Sequence, residues 1–148
     1  MSHLKMTSSE IEWISTYYQG TVFGSGYMTD LVGDRIQITL YYSDRSPYRP
    51  GARIVISMQC RRDDRVCYAS GQCQGQKMEL TIPLDGSTKG GYASLGPVDK
   101  GVMRFKAVDI NHIKSQVPKS SEPVTGSPEF ETLNDVGGFS SSSGCVLL

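Results

Sequence analysis

The sequence predicts an all-β fold: an antiparallel β-sandwich or open barrel of about seven or eight strands, followed by a disordered C-terminal tail. Three observations carry this expectation. Between residues 10 and 117 apolar residues recur at every second position, the period of a strand with one face in a core and the other in water. Helix signals are thin, with only four alanines against sixteen glycines. Clusters of Pro, Gly and Asp punctuate the alternating runs, as strand connections require.

The elements follow in order along the chain. In RIQITLYY, Ile36, Ile38 and Leu40 alternate with Gln37, Thr39 and Tyr41, and the adjacent Tyr41 and Tyr42 must point to opposite faces. DRSPYRPGAR is a strand-to-strand loop in which Pro50 and Gly51 form a turn. RIVISMQ presents Ile54, Ile56 and Met58. In CRRDDRVC a two-residue turn at Asp63 and Asp64 would pair Arg62 with Arg65, Arg61 with Val66 and Cys60 with Cys67, so that the two thiols face each other across a hairpin. KMELTIP supplies Met78, Leu80 and Ile82, LDGSTKGGY is a further loop, and GVMRFKAV supplies Met103, Phe105 and Ala107. The one helical candidate is a short piece near DINHIKSQ. The expected core is Ile36, Ile38, Leu40, Ile54, Ile56, Met58, Leu80, Ile82 and Phe105.

Charge divides the chain. Fifteen basic and eleven acidic residues up to Lys119 leave that part at +4, whereas Glu122, Glu129, Glu131 and Asp135 leave the remainder at −4 with no basic residue. The same point marks a shift to Ser, Pro and Gly with scattered apolar residues, too few to offset ordering. The expected organisation is a β domain over residues 1–117 and a flexible acidic tail over 118–148. Within that tail GSPEF matches a common remnant of fusion vectors. No export signal opens the chain and no apolar run reaches the roughly 18 residues needed to span a bilayer, so the expected compartment is the cytoplasm.

The chain closes on SSSSGCVLL. Cys145 followed by Val146, Leu147 and Leu148 resembles the CaaX box that directs prenylation, with the terminal leucine favouring geranylgeranyl, and similar endings close many Rho-type small GTPases. The resemblance covers four residues and implies a lipid address, not a fold. A single prenyl chain anchors weakly, so a peripheral membrane protein of this kind needs a second contact from its domain.

Seven of the eight arginines fall between Arg35 and Arg65. The guanidinium fork takes phosphate or carboxylate oxygens in pairs, which makes Arg45, Arg49, Arg53, Arg61, Arg62 and Arg65, with Tyr48 beside them, the candidate surface for anionic lipid or an acidic protein partner. The plainer reading is a solvated rim paired with Asp34, Asp44, Asp63 and Asp64. No cofactor, metal or nucleic-acid partner is expected. Cys60, Cys67 and Cys73 lack the close spacing of a zinc knuckle and would need His112 or His3 as a fourth ligand, so they read as reduced thiols, with a Cys60–Cys67 disulfide as the alternative in an oxidising space. The function expected is a non-catalytic binding or adaptor module tethered through Cys145. Its rivals are a soluble anion-, carbohydrate- or peptide-binding domain, and a small cysteine-dependent enzyme using a clustered thiol with His112.

Overall fold

The computed structural model describes residues 8–15, 22–46, 49–85, 90–97, 99–106, 108–124, 126 and 130. Eight strands run in chain order: β1 (Ser8–Ser15), β2 (Val22–Val32), β3 (Arg35–Tyr42), β4 (Arg53–Arg62), β5 (Val66–Cys73), β6 (Gln76–Pro83), β7 (Gly91–Leu95) and β8 (Asp99–Phe105). Each pairs antiparallel with the next, and β8 returns to pair with β1 from Ile11↔Phe105 to Ser15↔Gly101. The expected all-β antiparallel fold is thus a closed barrel, which leaves no unpaired sheet edge among these strands.

Alternation sorts the side chains. Ile11 and Trp13 share the inner face with Met28, Ile36, Ile38, Leu40, Tyr42, Ile54, Ile56, Met58, Leu80, Ile82 and Met103 in one continuous core. Eight of the nine expected core residues are buried there and Phe105 packs partly buried against them. Burying each such side chain contributes about 1.5–3 kcal/mol, so this core is the main stabilising term. Gly26 and Gly91 stand where neighbouring strands approach most closely: a Cβ on either would overlap the carbonyl oxygen of Thr39 or Thr81.

The barrel has two unlike ends. At the helix end lie the turn at Gly33 and Asp34, the β4–β5 turn and α1 (Ile110–Gln116), the short helix expected near DINHIKSQ. Asp109 caps α1 by accepting the His112 N–H at 3.0 Å. Ile113 and Val117 enter the core, Gly33 N–H donates to Gln116 Oε1 at 3.2 Å, and α1 thereby covers this end. At the loop end lie the β3–β4 loop, the tight turn at Gln74 and Gly75, and the β7–β8 connection.

One detail departs from the sequence reading. The β4–β5 connection pairs Arg62 with Cys67, Arg61 with Tyr68 and Cys60 with Ala69, so the thiols are diagonal neighbours and not directly opposed. The cause is Asp63, whose Oδ1 accepts the N–H groups of Arg65 at 2.7 Å and Val66 at 2.9 Å, lengthening the turn by capping it with a side chain. The described residues beyond 117 lie against the barrel. Lys119 bridges to Arg62 in parallel, Ser120 N–H donates to Arg62 O at 2.8 Å, and Val124 N–H donates to Asp63 Oδ2 at 3.3 Å. Phe130 is 2% exposed, its ring edge-on to Tyr68 at 6.1 Å, so this apolar residue of the acidic segment finds a partner on the outer wall.

Candidate functional site

Asp99 opens β8 in the same phase as Gly101 and Met103, so the strand turns its carboxylate into the barrel, where it is 0% exposed. A carboxylate in that setting is costly unless it is paired. Two partners from other elements meet it at Oδ2. Tyr42, the last inward residue of β3, donates its hydroxyl at 2.7 Å, and Arg49 donates its Nε at 2.6 Å. The remaining fork of Arg49 is also engaged, with NH2 donating to Gln76 Oε1 at the start of β6.

Local sequence explains how Arg49 arrives there. Ala52 N–H donates to Arg49 O at 3.0 Å across a turn in which Gly51 takes φ 74, the Pro-Gly turn expected at this point. Arg49 itself holds φ 52, a left-handed conformation that costs an arginine about 1 kcal/mol or more and that the ion pair helps to maintain. Gln76 is placed by the two-residue turn at Gln74 and Gly75, both at positive φ.

The electrostatics follow from burial. Burial, and then the hydrogen bond to Asp99, push the Tyr42 phenol well above its ordinary range, so it remains a proton donor. The hydrogen bond to Asp99 holds the Arg49 guanidinium still more firmly protonated. Beside this cluster stands Trp13, 0% exposed, edge-on to Phe23 at 5.4 Å and to Tyr42 at 6.0 Å. Two buried polar side-chain atoms among the described residues lack a hydrogen-bond partner: Asp99 Oδ1, an acceptor, and Trp13 Nε1, a donor. Tyr42 touches both residues that carry them.

The arginines expected to form one surface are divided between the barrel's ends. β4 starts at Arg53 and finishes at Arg62, and its ten residues at about 3.3 Å each set the two roughly 30 Å apart. Arg45, Arg49 and Arg53 belong to the loop end, whereas Arg61, Arg62 and Arg65 belong to the helix end. Several have partners within the chain. Arg53 lies over the Tyr41 ring at 5.8 Å and Arg61 over the Tyr68 ring at 5.2 Å. Arg62 Nε donates to Val117 O at 2.6 Å and its NH2 to Lys114 O at 3.1 Å, a cation at the C-terminal end of α1. Arg45 and Arg65 are exposed. Tyr48 and Cys145 lie outside the described residues.

Cys60 and Cys67 are buried thiols with no disulfide between them. A hydrogen bond between the two, and then burial, push the Cys60 thiol up, away from the thiolate a nucleophile needs. Cys73 sits at the loop end and His112 on α1 at the helix end, so the barrel separates them. Among the described residues no three of His, Cys, Asp and Glu converge as metal ligands, and no helix is long and apolar enough to cross a membrane.

Sequence reasoning missed Asp99, Tyr42, Gln76 and Trp13 as a group. One signal was present: Asp99 is a charged residue in the inward phase of an alternating run, two and four positions before Gly101 and Met103. No family model, curated protein or solved structure matches the chain.

Proposed function

We propose that this protein is a non-catalytic binding module that takes a small ligand into the loop end of the barrel, where Asp99 and Trp13 hold it. The observation that carries this reading is the pair of buried, unpartnered atoms Asp99 Oδ1 and Trp13 Nε1 in one end of one barrel. Buried polar atoms are almost always satisfied, and an acceptor and a donor left open in a single region are what a ligand's own groups complete. An eight-stranded barrel is about wide enough either to be filled by side chains or to hold one small ligand. With α1 across the helix end, entry falls to the loop end, where Arg49 stands between Asp99 and solvent with its side chain 24% exposed.

Trp13 is the only tryptophan in the chain, so its emission reports on this site without labelling. A small-molecule screen read by Trp13 fluorescence should give saturable shifts that Asp99→Asn weakens. Saturable binding that leaves Trp13 unaffected and survives Asp99→Asn would place the ligand elsewhere and end this reading.

A further inference from the structure

We infer that the ligand is an uncharged molecule with an apolar body, carrying a hydroxyl- or amide-type donor for Asp99 Oδ1 and an oxygen acceptor for Trp13 Nε1. This rests on the barrel-end reading and narrows it to a chemical class.

Charge balance comes first. Among the described residues, Asp99 already faces the Arg49 guanidinium at 2.6 Å, so the pair is balanced. An ionic ligand would add a charge with no counterpart beside the buried Asp99. An anion could reach only the Arg49 N–H groups that Asp99 and Gln76 do not take, and it would meet the open lone pairs of Asp99 Oδ1 beside them. A cation would satisfy Asp99 only by competing with Arg49 for it.

Hydrogen-bond valence comes second. Tyr42 gives its proton to Asp99 and its raised pKa keeps it a donor, which leaves one acceptor and one donor open, at Asp99 and Trp13. The walls around them are otherwise aromatic and aliphatic: Phe23 lies against Trp13, and Met103 is its cross-strand neighbour on β8. A hydroxyl or a carboxamide on an apolar frame supplies both functions with no net charge.

The experiment uses four probes with one ring body: cyclohexanol, cyclohexanecarboxamide, cyclohexanecarboxylate and cyclohexylamine. Each is titrated into the full chain by Trp13 fluorescence and by ligand-observed NMR. The alcohol and the amide should bind about tenfold or more tightly than the two ions. The variants then invert the preference. Asp99→Asn leaves Arg49 without its counter-charge and should move the preference toward the carboxylate. Arg49→Gln removes one of the two partners of buried Asp99, so its fold is checked first by circular dichroism, and the folded variant should move the preference toward the amine. If an ion matches the neutral probes at Trp13 in the wild-type protein, the class assigned here is wrong while the binding site stands. If the neutral probes lead but neither variant changes the ranking, Asp99 and Arg49 do not set ligand charge and the inference falls. If none of the four perturbs Trp13 at any concentration, the barrel-end reading falls with it.

Discussion

Tyr42 and Asp99, 57 residues apart in the chain, meet inside the barrel through a 2.7 Å hydrogen bond that joins the end of β3 to the start of β8. These strands are not neighbours in the sheet, so the contact crosses the lumen and depends on the barrel being closed. It links fold to site, because the same bond satisfies a buried carboxylate and fixes the aromatic wall beside Trp13.

That bond makes stability sensitive to alkali. The Tyr42 pKa is raised in the folded state by burial and by Asp99, so its contribution is fully present below the unfolded phenol value near 10 and is lost as pH rises above it. Wild-type stability should fall by up to about 1.4 kcal/mol per pH unit above roughly pH 10 from this group, with Tyr68 adding to the slope in the same direction. Tyr42→Phe should flatten the slope and cost about 1–3 kcal/mol at neutral pH by leaving Asp99 with one donor fewer. Urea unfolding of both proteins from pH 8 to 12 checks this; parallel curves would show that Tyr42 does not titrate with unfolding.

Two glycines separate steric from conformational need. Gly26→Ala drives a Cβ into the Thr39 carbonyl across β2 and β3, and should cost about 2 kcal/mol or more or leave the protein insoluble. Gly75→Ala meets open space but must hold φ 80, and should cost only about 1 kcal/mol. Melting temperatures in that order support the close strand approach at Gly26; the reverse order would contradict it.

The outline of the fold was legible because its cause is local. Ile36, Ile38 and Leu40 show their period to any reader of the sequence, as do the Pro50–Gly51 turn and the short helix near DINHIKSQ. The site was not legible in the same way. Arginines crowded between positions 35 and 65 look like one patch, yet β3 and β4 are long enough to carry them to opposite ends of the barrel. Asp99 stands in the inward phase of an alternating run in GPVDKGVM, but which partners its charge would meet is set only when closure places it opposite Tyr42 and Arg49. The Cys60–Cys67 register slipped because side-chain capping by Asp63 resets the turn, a choice that strand periodicity does not contain.

Asp63 also ties the segment beyond residue 117 to the barrel. Burial alone would raise its carboxyl pKa, but the N–H groups of Arg65, Val66 and Val124 and the nearby Arg65 charge outweigh that and hold it low. A depressed carboxylate stabilises above its unfolded pKa of about 3.9, and that stabilisation is lost as pH falls below it. Hydrogen exchange should therefore show residues 118–124 losing protection below about pH 3.9 while Ile38, Ile56 and Leu80 stay protected. Asp63→Ala should reproduce the loss at neutral pH, and unchanged protection in that variant would mean that the Lys119 and Ser120 contacts suffice to hold the segment.

The cysteines test the rival enzymatic reading directly. Cys60 and Cys67 are buried and mutually hydrogen-bonded, with the Cys60 thiol pushed up by that bond and by burial, whereas Cys73 is half-buried at the loop end. In a Cys145→Ser background at neutral pH, a thiol-reactive disulfide reagent should label Cys73 first and reach Cys60 and Cys67 only at the rate of unfolding. Adding denaturant should then expose both together, since the register places them in adjacent strands of one cooperative barrel. Rapid labelling of Cys60 or Cys67 in the native protein would instead identify a reactive thiolate in the wall and favour the cysteine-dependent enzyme over the binding module.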